Sequence, residues 1–77
     1  MSLYRFEFYQ GEGIETIEGI DLANDSAAIT EAKRTAREMI LDGVLEGHDR
    51  SRWLISVTEP SGRSVGIVRF SDMMTPE

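Results

Sequence analysis

The chain has one imidazole, and it stands next to a carboxylate: His48-Asp49. That pairing suits general acid–base work, because histidine titrates near neutrality and a carboxylate can fix its tautomer. The pair lies in the polar run Gly47-His48-Asp49-Arg50-Ser51-Arg52, and no recognisable motif ties a serine, cysteine or lysine nucleophile to it. Neighbours along a loop seldom aim at one another. A solvated loop is therefore the plainer expectation, and no catalytic residue is assigned.

Glu12, Glu15, Glu18, Asp21 and Asp25 form an acidic stretch whose oxygens suit a hard cation. Their spacing does not follow the Asp-x-Asp-x-Asp-Gly pattern of a calcium loop. The isoleucines between them mark a strand with a solvated face, so no metal ligand is assigned. Gly11-Glu12-Gly13 lacks the glycine–lysine of a phosphate loop and opens no helix, and no cofactor is expected. Arg50, Arg52, Arg63 and Arg69 with Trp53 form a candidate basic–aromatic patch, the kind that holds nucleic acid by charge and stacking, with Trp53 and Arg69 as possible cross-strand neighbours. Glu46, Asp49 and Glu59 sit among them and cancel most of that charge. The competing expectation is that Trp53 closes one end of the core with arginine stems lying around it.

Composition narrows the choice. With 77 residues this is a single domain near the lower limit for unaided folding, and its net charge of -6 repels polyanions. The absence of cysteine removes disulfides and thiolate metal sites as supplements to a thin core, which leaves self-association. No apolar run approaches the ~20 residues of a membrane span. The N-terminal residues carry no secretory pattern, so the cytoplasm is the expected compartment.

The elements that must position these groups read in a clear order. Leu3 to Tyr9 alternates, with Tyr4, Phe6 and Phe8 on one face, which predicts a half-buried strand. Gly11 and Gly13 mark a reversal. The period-three repeat from Glu12 to Asp21 predicts an irregular or bulged second strand, best formed around Ile17 to Asp21; in a regular strand it would put Ile14 and Ile20 on one face and Ile17 on the other. Asn24 or Asp25 caps a helix beginning at Ser26, with Ala28, Ile29, Ala32, Ala36, Met39 and Ile40 as its apolar stripe and an end between Asp42 and Glu46. Trp53 to Thr58 and Arg63 to Phe70 flank the turn Glu59-Pro60-Ser61-Gly62. A tight turn pairs Val57 with Val65 and Ile55 with Ile67. The expected fold is thus α+β in ββαββ order: a four-stranded antiparallel sheet with one helix on one face. Residues 1-70 form the domain and 71-77 a tail.

In that arrangement Leu3, Tyr9, Leu54, Val68 and Phe70 fall on the face that the helix does not cover. They are the candidate interface, since exposed apolar patches mark contact surfaces. The expected partner is a second copy, as a homodimer, with an unidentified protein partner as the alternative; nucleic acid is disfavoured and a membrane is not expected.

The chain also resembles short uncharacterised alphaproteobacterial proteins that carry a domain of unknown function. The resemblance rests on Tyr4-Arg5-Phe6-Glu7-Phe8, Glu18-Gly19-Ile20-Asp21-Leu22, Ala27-Ala28-Ile29-Thr30-Glu31-Ala32, Trp53-Leu54-Ile55-Ser56-Val57-Thr58 with its Gly62 turn, and Phe70-Ser71-Asp72. The doubling of the Glu-Gly-Ile unit, by Glu12-Gly13-Ile14, is not a feature of that resemblance. It implies a bacterial source and no assigned activity, and it transfers no catalytic residue. The leading expectation is a non-enzymatic interaction module that self-associates through its sheet. The alternatives are a small regulatory protein of the nucleic-acid-associated or antitoxin-like kind, and a metal or small-molecule binding domain using the acidic stretch.

Overall fold

A computed structural model describes residues 2–74. The order is β1 (Ser2–Tyr9), β2 (Ile14–Leu22), α1 (Asp25–Glu46), β3 (Leu54–Thr58), β4 (Ser64–Arg69) and α2 (Phe70–Met74). The strands form one antiparallel sheet in the spatial order β2-β1-β3-β4, so β2 and β4 are its edges. The α+β fold in ββαββ order is the one the residue pattern predicts, with α2 added. That short helix takes Phe70, expected as the end of the return strand, and the first four residues of the expected tail: Phe70 is buried and Met73 packs against the core. Residues 75–77 of the expected tail lie outside the described residues.

The core pairs large side chains on the sheet with small ones on the helix. Tyr4, Phe6, Phe8, Ile55 and Val57 are buried on one sheet face, and Ala28, Ala32 and Ala36 lie against them. The alanine row brings the helix close enough for the aromatic rings to fill the gap at interior density. Asn24 starts the helix by accepting the Ala27 N–H at 2.8 Å. Gly47 ends it with φ 79°, and the His48 and Gly47 N–H groups bond the Gly43 and Val44 carbonyls in a Schellman arrangement.

Two bulges set which residues face the core. In β2 the register shifts between Tyr4 and Phe6, so that Ile20 opposes Tyr4 and Ile17 opposes Phe6. Gly19, at φ 72°, supplies the extra residue. This accounts for the period of three: the bulge flips the alternation, and Ile17 and Ile20 share the helix-side face instead of opposite ones. In β4 the register shifts between Val57 and Thr58, which oppose Gly66 and Ser64. Val65 is the inserted residue. The expected pairs Val57–Val65 and Ile55–Ile67 are therefore replaced by Val57–Gly66 and Ile55–Val68. Val68 and Phe70 turn inward, at 4% and 0% exposure, and Ile67 turns outward. Ile67, expected opposite core residue Ile55, instead stands opposite Ser56 by the same shift.

Candidate functional site

The register reduces the expected interface. Val68 and Phe70 belong to the core, so they are no part of a surface. Leu3, Tyr9 and Leu54 remain on the face away from α1; Leu3 and Tyr9 are exposed and Leu54 is half-buried. Ile14 and Ile67 join them there. Ile14 opposes Tyr9, Tyr9 opposes Leu54, and Leu54 opposes Arg69, so one row crosses all four strands. Ile67, opposite Ser56, stands one row in. Leu3 sits apart, opposite Asp21 at the other end of β1. The centre of the face is polar: Arg5 donates to Thr58 Oγ1 at 3.4 Å and pairs with Glu18 at 3.4 Å.

The edges are the more open part. β2 is exposed along nearly its whole length, and Ile17 is half exposed beside Thr35 and Met39 of α1. Along β4 a groove of about 480 Å³ runs between the strand and the helices, lined by Ile29, Lys33, Val65, Ile67, Arg69 and Asp72 among others. Gly66 lies in it because a Cβ there would stand 2.9 Å from Ile29 Cδ1.

The arginines do not gather into one patch. Arg50 is mostly buried: its guanidinium carbon lies 4.6 Å from the Trp53 ring centroid, and Nη1 donates to the Met39 carbonyl at 2.8 Å. Trp53 in turn packs on Phe70, centroids 5.9 Å apart, rather than beside Arg69. Arg63 is bound at the other end of the helix, donating to both Asp25 oxygens at 2.9 and 3.0 Å and to Glu59 Oε1 at 2.7 Å. Arg69 lies on the outer face opposite Leu54, and Arg52 is exposed in the loop before β3. The expected basic–aromatic cluster is thus split, because α1 separates its Asp25 and Glu46 ends by about 30 Å.

The acidic stretch is dispersed too. Glu15 accepts from Gln10, Glu18 pairs with Arg5, and Asp25 anchors a network of its own. Among the described residues, no three His, Asp or Glu side chains come together in a way that could hold a metal ion. In the Asp25 network the Tyr4 hydroxyl donates to Oδ1 at 2.9 Å while Arg63 bridges to Glu59. The Arg63 guanidinium, helped by Tyr4, holds Asp25 below the usual carboxylate range, and Arg63 lowers Glu59 likewise. Burial, with the bond to Asp25, raises the Tyr4 hydroxyl. The network fastens the helix start to β1 and to the β3–β4 turn.

His48 and Asp49 lie beside a cleft with Ile40, Val44, Arg50 and Met74. Asp49 accepts the Ser51 N–H at 2.9 Å, which lowers its carboxyl, while the His48 backbone closes the helix. Both serve local turn structure. Close by is a surface that the sequence reading passed over: Leu41, Val44 and Leu45 are 59%, 63% and 78% exposed. Leu45 falls about half a helical turn away from Ala36, opposite the core. Its signal in the sequence is the Leu41–Leu45 spacing of four, outside the alanine stripe.

Residues 3–71 match the family described as a domain of unknown function (DUF6894), and the chain belongs to that family. No curated protein and no solved structure matches it. Among the described residues, no helix is long and apolar enough to cross a membrane.

Proposed function

We propose that this member of the family is a non-enzymatic protein-interaction module that self-associates through its sheet. The observation behind this is the state of the edge strands. β2 and β4 each have one open side, and they carry Ile14, Ile17 and Ile67 at 59%, 48% and 50% exposure. An open edge presents unpaired backbone groups that accept another strand, and apolar side chains beside it gain cover when one arrives. The row Ile14–Tyr9–Leu54 extends the same surface across the outer face. A core this small benefits from the added burial.

Sedimentation velocity from low to high micromolar concentration tests the proposal. The expected result is a mean mass that rises above the monomer. A strictly monomeric species at high micromolar concentration would overturn it.

The alternatives have less behind them. A nucleic-acid or antitoxin-like role needs a basic surface, and Arg50 and Arg63 are committed to internal contacts. A metal or small-molecule role needs the acidic groups together, and they are spread over both faces of β2. We place the protein in the cytoplasm on the absence of cysteine, and its source in the alphaproteobacteria on the resemblance of its strand and helix segments.

A further inference from the structure

We infer that copies of this chain join head to tail, the β4 edge of one taking the β2 edge of the next, rather than as a closed two-fold pair. This rests on the proposed self-association and specifies its geometry. Charge is the first reason. β2 carries Glu15, Glu18 and Asp21 and no cation. β4 carries Arg69 and no carboxylate, and Lys33 of α1 lines the groove beside it, with Asp72 the one acid there. Pairing β2 with β2 sets carboxylates against carboxylates, and in a two-fold β4–β4 pair Arg69, the last residue of its strand, lies across from the partner's Ser64 end and meets no carboxylate of β4. Like charges across a strand pair are destabilising and unlike charges favourable. Joining the unlike edges is the arrangement that brings the basic edge of one copy to the acidic edge of the next.

Backbone direction is the second reason. The Phe70 N–H donates to the Trp53 carbonyl at 3.0 Å, toward β3. Alternation along an antiparallel ladder then aims the Ile67 and Arg69 N–H groups at the open side. Each strand runs antiparallel to its neighbour, so β2 and β4 run in opposite directions. A copy in the same orientation therefore brings its β2 antiparallel to β4 and keeps every helix on one side. Four strands at about 4.8 Å repeat every ~19 Å, wider than a helix of ~10–12 Å, so neighbouring α1 helices do not collide. A contact between unlike patches that does not close a ring grows by addition.

The test is a chain terminator. Ile67→Pro removes one of the two open-side donors and puts a ring in the path of an added strand, at a position where an edge strand tolerates proline. This variant keeps its β2 edge, so it can cap a growing assembly but cannot extend it. Sedimentation of wild type is expected to show species beyond the dimer as concentration rises, reduced by salt. Ile67→Pro alone is expected not to grow, and added in equal amount to wild type it shortens the distribution. Arg69→Glu, which keeps the strand's backbone donors, is expected to weaken association about fivefold, and serves if the proline variant does not fold by circular dichroism. Wild type that stops at a dimer overturns this geometry and leaves self-association standing. So does a folded Ile67→Pro that leaves the wild-type distribution unchanged, or an Arg69→Glu that associates as wild type does. A wild type that stays monomeric overturns both.

Discussion

Arg50 lies across Gly43 so closely that a Cβ on Gly43 would stand 2.8 Å from Arg50 Cδ. The glycine leaves room on the helix for an arginine that stacks on Trp53 and bonds the Met39 carbonyl. Glycine inside a helix ordinarily costs about 1 kcal/mol relative to alanine. Here the sign reverses: Gly43→Ala forces Arg50 out of its place, and overpacking of that kind costs about 1–3 kcal/mol. Urea unfolding should show Gly43→Ala destabilised by about 1 kcal/mol. In an Arg50→Ala background the same change should stabilise, and a double-mutant cycle reads the difference. Stabilisation by Gly43→Ala in the intact chain would contradict the contact.

Gly19 holds the bulge that turns Ile17 and Ile20 to the same face. At φ 72° an alanine meets the left-handed penalty, so Gly19→Ala should cost about 1–2 kcal/mol. Gly13 has no positive φ and open space around its Cβ, so Gly13→Ala should be near neutral. Equal effects at the two sites in thermal unfolding would mean that β2 is not bulged at Gly19.

Phe70 and Val68 separate the observed register from the one expected of a tight β3–β4 turn. With Phe70 fully buried, Phe70→Ala should cost about 3–5 kcal/mol, enough to unfold a domain this small. Ile67→Ala should cost under about 1 kcal/mol, since half of that side chain is in water. Near-native stability of Phe70→Ala would return that residue to the surface.

The Asp25 network gives stability a defined pH window. Asp25 and Glu59 titrate lower in the folded chain than in the unfolded one. Their contribution is therefore present above the ordinary carboxylate range of about pH 4 and is lost as pH falls through the folded values. The Tyr4 hydroxyl titrates higher when folded, so its contribution holds below about pH 10 and is lost as pH rises through the raised value. Unfolding midpoints should be level between these limits. Asp25→Asn should lower the plateau and flatten the acid limb, and Tyr4→Phe should flatten the alkaline limb. An unchanged acid limb in Asp25→Asn would place the linkage elsewhere.

Much of the fold was legible because it rests on local periodicity. Tyr4, Phe6 and Phe8 alternate, the alanines recur with helical spacing, and Asn24 and Gly47 carry the chemistry of helix ends. The irregularity of β2 was legible in its period of three, but the face it gave Ile17 depended on a bulge that sequence spacing does not place. The β4 bulge at Val65 left no local signal: it follows from the turn closing through Glu59 and Arg63 at 2.9 Å, and from Gly66 being the residue that admits Ile29. One inserted residue moved Val68 and Phe70 from candidate surface to core. The arginine patch failed for a different reason. Arg50 and Arg63 are near in sequence, but each is drawn to a different end of α1 by a partner that only the tertiary fold supplies.

Amide hydrogen exchange at Ile67 and Arg69 tests the proposed association most directly. Their N–H groups face the open side of β4, so in dilute solution they should exchange about as fast as unprotected amides. At high protein concentration their protection should rise, while that of buried Val68 stays as it was. Exchange at Ile67 and Arg69 that is independent of concentration, in a sample shown by sedimentation to be associated, would contradict assembly through this edge; the same result in a sample that stays monomeric would contradict self-association itself.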